Sequence, residues 1–299
     1  MKIPVGVDYV NDPDNVLRLI STLSNELTES YDKDEEPFLS KALPFIERKS
    51  EFLEYDLLLS IFFPYYTFNK QGKEAAKDSV EENLRKLYHI VYRGLLSYGN
   101  DSPEQRLANV FTKLYDIRYI LKTDVLAAFD GDPSVRSYTE VIKSLPGFKS
   151  ILVHRFAHEL YRQGFVGYPR ELSELAHTMT GIDIHPGASI KGYFFIDHGS
   201  GTVIGESAEI GSHVRIYQDV TLGVLHFEKS GDKVLKKGYK RHPTIGDHVV
   251  IGAGAKVLGP IMIGNHVNIG ANSWIHNDVP DNTTVYIEEH PRLARKQGE

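Results

Sequence analysis

The sequence has no cysteine, a single tryptophan and three methionines. Without cysteine there can be no disulfide, no thiolate metal ligand and no thiol nucleophile. Long apolar runs are missing as well. The most extended stretch, residues 57–63, is far short of the roughly 18 residues a membrane-spanning helix needs, so no membrane partner is expected. The opening residues Met1-Lys2-Ile3-Pro4-Val5-Gly6 carry no charged head followed by an apolar run, which predicts a cytoplasmic chain rather than a secreted one. Positive charge is not in excess either. Against 40 acidic residues stand 34 basic ones, for a formal net charge of -6, which argues against nucleic acid as the main partner. What is present is ordinary for a soluble globular protein: 299 residues, 41% hydrophobic and 25% charged, enough chain for about two domains.

The chain divides by rhythm. Residues 1–180 read as an α-helical domain, with 1–75 poorly determined. Ser79-Val80-Glu81-Glu82 has the form of a capping box that opens a helix. Leu84, Leu87, Val91 and Leu95 follow it at helical spacing. Ser102-Pro103-Glu104 opens a second helix, whose apolar face runs from Leu107 through Phe111 and Leu114 to Leu121. A third spans about Gly147 to Gln163. His154 and His158 stand four apart on it, a spacing that metal pairs use, but no Glu follows in the pattern of a zinc hydrolase and helix packing explains them.

From residue 181 to 285 the period changes to six. Ile245, Ile251, Val257, Ile263, Ile269 and Ile275 keep one phase without a slip, and Ile204, Ile210, Ile216 and Leu222 carry it upstream. Earlier come Ile184, Ile190 and Ile196, the last separated from Ile204 by eight residues. Neither a period of two nor of 3.6 generates this pattern; hexapeptide repeats belong to a parallel β-helix. Each hexad supplies a short strand and a corner, three hexads close a triangular coil, and the aliphatic side chains stack inward at about 4.8 Å per coil. The expected architecture is therefore α+β: a helical domain, then a left-handed parallel β-helix, then a tail over 286–299. The 23 residues between Leu222 and Ile245 exceed one hexad, so 224–241 must leave the coil as a protruding, lysine-rich loop.

Several motifs in order resemble the serine acetyltransferase family: Gly181-Ile182-Asp183-Ile184-His185-Pro186, Ile196-Asp197-His198-Gly199, Gln218-Asp219-Val220-Thr221-Leu222-Gly223, Arg241-His242-Pro243, and Gly252-Ala253-Gly254-Ala255. The resemblance covers about residues 128 to 280. It implies acetyl-CoA-dependent O-acetylation of L-serine in cysteine biosynthesis, with acetyl-CoA as co-substrate and no metal. Acetyl transfer to an alcohol needs a base for the hydroxyl proton. A histidine with its ordinary pKa near 6.5 suits that task, and His198 is the candidate. The resemblance selects Asp183 as the carboxylate behind it and His242 as a second active-site histidine. Arg241 has the planar fork for a carboxylate, while Asp132 and Asp197 suit the serine ammonium. Gly223 is the expected oxyanion contact, and small Ala253 and Ala271 would line the pantetheine arm. A homotrimer or a dimer of trimers is implied.

Other readings stay open on the residues alone. The same solenoid serves acyltransferases of sugars or other hydroxy amino acids, and it also serves as a non-catalytic oligomerising scaffold. His213, His248 and His266 occupy equivalent corner positions and predict a column, but not with the ligand spacing of the zinc carbonic anhydrases that share the solenoid. The loop opens Gly223-Val224-Leu225-His226-Phe227 where the best-known members have Gly-Gly-Thr-Gly, which marks a long-loop variant. The chain ends Gln297-Gly298-Glu299 rather than in isoleucine, so a complex with O-acetylserine sulfhydrylase is not expected.

Overall fold

The computed structural model describes residues 13–32, 52–66, 73–229 and 234–287. Its helices are α1 (Pro13–Asp32), α2 (Leu53–Phe62), α3 (Lys73–Ser97), α4 (Glu104–Phe111), α5 (Leu114–Gly131), α6 (Tyr138–Ser144), α7 (Pro146–Arg162) and α8 (Gly167–Thr180), with a 3₁₀ turn at Pro64–Tyr66. Leu58, Phe62, Leu84, Phe111 and Phe156 are among the side chains sealed in the helical core.

Two helix boundaries differ from the sequence reading. α3 starts six residues before Ser79, so this serine lies inside the helix and not at its N-terminus. The preceding Lys-Glu-Ala-Ala-Lys-Asp has high helix propensity and no breaker, so the helix extends through it. The second predicted helix is in fact two. Thr112 turns its hydroxyl back to the Asn109 carbonyl at 2.7 Å, and Lys113 N–H bonds Val110 O at 2.9 Å in a tightened turn. Side-chain competition of this kind ends α4 and lets α5 restart from Leu114.

Among the described residues fourteen short strands follow. Sheet A stacks β1 (Asp183–Ile184), β4 (Val203–Ile204), β7 (Thr221–Gly223), β10 (Lys256–Leu258) and β13 (Trp274–Ile275). Sheet B stacks β2 (Ser189–Ile190), β5 (Glu209–Ile210), β8 (Thr244–Ile245) and β11 (Met262–Ile263). Sheet C stacks β3 (Phe195–Ile196), β6 (Arg215–Ile216), β9 (Val250–Ile251), β12 (Asn268–Ile269) and β14 (Thr284–Val285). Every pairing within these three sheets is parallel, and the hexad register is the strand register: Ile184 lies on Ile204, Ile204 on Leu222, Leu222 on Val257, and Val257 on Ile275. These side chains are buried, each worth about 1.5–3 kcal/mol against exposure. The solenoid is a parallel β-helix with three sheets.

Its corners are set by left-handed residues. Between sheets B and C, Tyr193, His213, His248 and His266 all have φ of 55–57°. Their rings form a column with centroids 4.3, 4.6 and 4.8 Å apart and nearly parallel planes. Between sheets C and A the equivalent positions are Gly201, Asp219, Gly254 and Asn272, also left-handed. The two residues by which the first coil exceeds the hexad spacing swell this corner, and His198, with φ 56°, lies in the swelling. The third corner, between A and B, throws out the long loop between Gly223 and Thr244.

The helical domain holds the first coil by a buried ion pair. Arg155 on α7 binds Asp124 on α5 through Nε at 2.6 Å and Nη2 at 2.9 Å. The same guanidinium donates to the carbonyls of Ile190 and Lys191, while Asp124 accepts the Phe194 N–H at 3.0 Å. His154 and His158, on the same helix, are part of this packing: the His158 ring contacts the Pro186 carbonyl at 2.8 Å, and burial keeps His154 well below its ordinary pKa.

Candidate active site

Two groups of chemistry-bearing side chains emerge, on two different corners. At the swollen corner between sheets C and A, the His198 ring is 75% exposed and its Nε2 lies 3.8 Å from Asp197 Oδ1, whose carboxylate is only 15% exposed. Asp132, which ends α5, faces the same place. Its Oδ1 accepts the Ser134 hydroxyl at 2.7 Å and the Ser134 N–H at 2.8 Å. Those hydrogen bonds, with the charges of His198 and Arg215 nearby, hold Asp132 below the usual carboxylate range. Asp197 is pushed the other way by burial, despite His198 beside it. Two carboxylates beside an imidazole make a pocket wall suited to an ammonium and a hydroxyl.

Arg215, absent from the sequence-derived set, belongs here. It lies directly under Phe195 in the β3–β6 register, with Cζ 5.3 Å from that ring, and donates to the Tyr217 hydroxyl at 3.3 Å. The signal was available: Arg215 immediately precedes an inward aliphatic and so faces outward, one coil below the residues before Asp197.

Asp183 is placed elsewhere on sheet A. Its Oδ1 is buried without a hydrogen-bond partner, 3.8 Å from Arg170 Nη2. Glu174, His177 and Asp183 bring one ligand atom each within 4.8 Å of one another, but Arg170 already bonds Glu174, and a guanidinium there fills the place a cation would take. Among the described residues no hydrogen bond or ion pair joins Asp183 to His198; the carboxylate that lies within 4 Å of the ring is that of Asp197.

The second group sits at the corner between sheets A and B, where the loop returns. Arg241 pairs with Glu206 and lies over the Tyr239 ring, 5.6 Å from its centroid. Tyr161 reaches across from α7 to donate to the other Glu206 oxygen at 2.7 Å. Burial raises Glu206, but the Tyr161 and Arg241 bonds outweigh it and leave the carboxylate below its ordinary range. His242 is almost fully buried, its ring laid on Gly205, where a Cβ would come within 2.1 Å of ring atoms. Burial and the Arg241 charge push His242 down to about 4. His185 accepts the Gly187 N–H at 3.0 Å, which orders the Pro186 bend.

The remaining candidates mark an edge. Ala253 and Ala271 occupy the C–A corner in the third and fourth coils, below His198. Ala271 is exposed and Ala253 half-buried, so the edge beneath His198 carries small side chains at these two positions. Gly223 closes β7 and is buried, and its carbonyl accepts the Gly259 N–H at 3.0 Å.

The position of Asp197 and His198 depends on a close helix contact. A Cβ on Gly147, in the first turn of α7, would lie 2.1 Å from the carbonyl oxygen of Ile196, the residue before Asp197. Gly147→Ala is therefore expected to cost about 1–3 kcal/mol, read by thermal unfolding, and to lower turnover because the relief moves the corner. Unchanged Tm and unchanged rate would show that the contact yields freely.

Comparison with known proteins adds the following. Residues 242–277 match the bacterial transferase hexapeptide (six repeats) family. A serine acetyltransferase of Bacillus subtilis is 49% identical over 166 residues, 56% of this chain and 72% of the relative. A plasmid-encoded serine acetyltransferase of Synechococcus elongatus is 50% identical over 167 residues, where the chain spans about half of the relative's length (52%). Among solved structures, serine acetyltransferase isoform 3 of Entamoeba histolytica, in complex with cysteine, matches at TM-score 0.86 and 42% identity, covering 94% of this chain and 96% of that one. The Neisseria gonorrhoeae serine acetyltransferase in complex with serine matches at 0.56 and 26% identity, covering 95% and 100%.

Proposed function

The chain belongs to the serine acetyltransferase family, and from that premise we propose that it transfers the acetyl group of acetyl-CoA to the hydroxyl of L-serine, giving O-acetyl-L-serine for cysteine biosynthesis in the cytoplasm. The observation that carries this reading is the swollen corner, where an exposed imidazole stands beside two carboxylates, Asp132 and Asp197.

In the proposed reaction His198 takes the serine hydroxyl proton as that oxygen attacks the thioester carbonyl. The tetrahedral intermediate collapses, the carbon–sulfur bond breaks, and the imidazolium returns the proton to the CoA sulfur. Asp132 and Asp197 receive the ammonium. Arg241 binds the carboxylate with His242 beside it. Gly223 supplies the oxyanion contact, and the thioester arm runs along the edge past Ala253 and Ala271. Asp183 supports His198 once the ring turns toward its unpartnered Oδ1.

One copy is not enough for this assignment. Asp132, Asp197 and His198 occupy the C–A corner while Arg241 and His242 occupy the A–B corner, with sheet A between them. A single small amino acid cannot touch both corners of one protomer, so the site is completed by a neighbouring copy. A closed ring of three such contacts gives a homotrimer, and the helical domains would join two trimers.

A thiol-release assay over an acceptor panel tests the reading. L-serine is expected to be the preferred acceptor, with homoserine and sugars poor. Cysteine, which keeps both charged handles of serine, is expected to compete with it; the E. histolytica relative was crystallised with cysteine bound. Turnover of a sugar but not of serine would overturn the substrate assignment, and no thiol release with any acceptor would favour a scaffold.

A further inference from the structure

Ser207, the first residue after Glu206 at the A–B corner, makes four contacts that converge on one short segment. Its hydroxyl oxygen accepts the N–H of Arg241 at 3.0 Å and the N–H of His242 at 3.1 Å. Its own N–H donates to His242 Nδ1 at 3.1 Å, and Oγ lies 2.9 Å from the same nitrogen. A backbone N–H can only donate, so Nδ1 must present its lone pair. The ring hydrogen therefore sits on Nε2. With two N–H groups already pointing at Oγ, the hydroxyl hydrogen is left to aim at Nδ1 as well. Two donors thus meet at Nδ1, and protonating it would displace both.

The other end of the ring is open. Among the described residues no partner takes Nε2, and it is not one of the polar atoms sealed from solvent without a bond. Gly205 permits this pose, because any side chain there would strike the ring.

We propose that Ser207 is the positioning residue of His242: by occupying Nδ1 it fixes the Nε2–H tautomer, so that His242 serves acetyl transfer as a neutral hydrogen-bond donor to an anionic oxygen, not as a base. This rests on the reading of the site given above. The burial and the Arg241 charge that depress His242 act in the same direction, keeping the ring neutral at cytoplasmic pH. The arrangement also explains how the returning loop is seated: the amides of Arg241 and His242 are both held by one oxygen of the neighbouring turn, so the guanidinium and the imidazole are presented together.

The test uses the full-length protein with ¹⁵N-labelled histidine and the variants Ser207→Ala and Ser207→Thr. In the unsubstituted protein, long-range ¹H–¹⁵N correlation is expected to show a pyridine-like Nδ1 and a pyrrole-like Nε2 for His242, unchanged from about pH 8 to about pH 5. Ser207→Ala is expected to lower kcat by about tenfold, the loss of one good hydrogen bond in the transition state, and to move the His242 titration upward. Ser207→Thr keeps the hydroxyl and is expected to restore both. A hydrogen on Nδ1 in the unsubstituted protein would overturn the proposal. So would a Ser207→Ala protein whose rate falls while the ring's titration stays put, since that is the signature of loop packing alone; the tautomer itself persists in this variant, because residue 207 keeps its N–H. The tautomer is read without any acceptor, so failure of the serine assignment would leave this measurement standing, and the reverse.

Discussion

Removing the imidazole at position 198 is expected to reduce serine acetylation by about 100- to 10,000-fold, the range that a positioned general base contributes. Asparagine is the substitution of choice. His198 sits at φ 56°, a left-handed conformation that costs most side chains about 1–2 kcal/mol and that asparagine adopts readily. His198→Asn therefore keeps the swollen corner while removing the base, whereas alanine would mix chemistry with strain. The ring is three-quarters exposed, so the variant should unfold at nearly the same temperature and elute at the same oligomeric size. If sites are completed across copies, refolding His198→Asn together with Arg241→Ala should recover part of the rate, because some sites then combine an intact half from each. Turnover of His198→Asn equal to that of the unsubstituted protein would remove the base assignment. Failure of the mixture to recover any activity would remove the shared site.

The second large effect concerns stability. Asp124 is 1% and Arg155 6% exposed, and between them they satisfy two carbonyls and one N–H of the first coil. Taking two charges out of water is costly, and their attraction offsets that only while the geometry is complete. Asp124→Asn leaves a buried guanidinium without its counter-charge and is expected to cost about 3–5 kcal/mol, read as a lower midpoint in urea with little change in slope. Replacing both by Leu and Met should not restore full stability, since the Ile190 and Lys191 carbonyls would still lose their donor. A loss below about 1 kcal/mol for the single variant, the level of a surface pair, would show that the pair does not anchor the coil.

Much of the solenoid was legible because its code is periodic. One aliphatic in six, phased from Ile204 to Ile275, fixes which side chains face inward and which strand lies on which. The long gap after Leu222 marked the loop, whereas the eight-residue gap before Ile204 showed an irregularity that only the structure identifies as the corner carrying His198. Helix ends were less legible. Ser79 has the form of a cap, but propensity on its N-terminal side carries the helix past it. Thr112 breaks a continuous apolar stripe by a side-chain bond that hydrophobic spacing does not register. The site was read as one constellation because sequence motifs carry no corner assignment. Only the sheet order separates Arg241 and His242 from Asp132, Asp197 and His198, and only the coil register brings Arg215 to them. The Asp124–Arg155 pair left no trace in the sequence, since the two residues are 31 apart on different helices.

The corner column below His198 has a metric consequence. From the first coil to Ala271 there are three rungs, about 14 Å at the spacing of neighbouring strands, and backbone hydrogen bonds along the edge leave this distance no freedom to vary. Any elongated molecule lying along that edge is measured against a ruler graduated in whole turns of the solenoid. Its length is selected by how many rungs separate the reacting end from the far one, and shortening or lengthening the protein here means deleting or adding an entire turn.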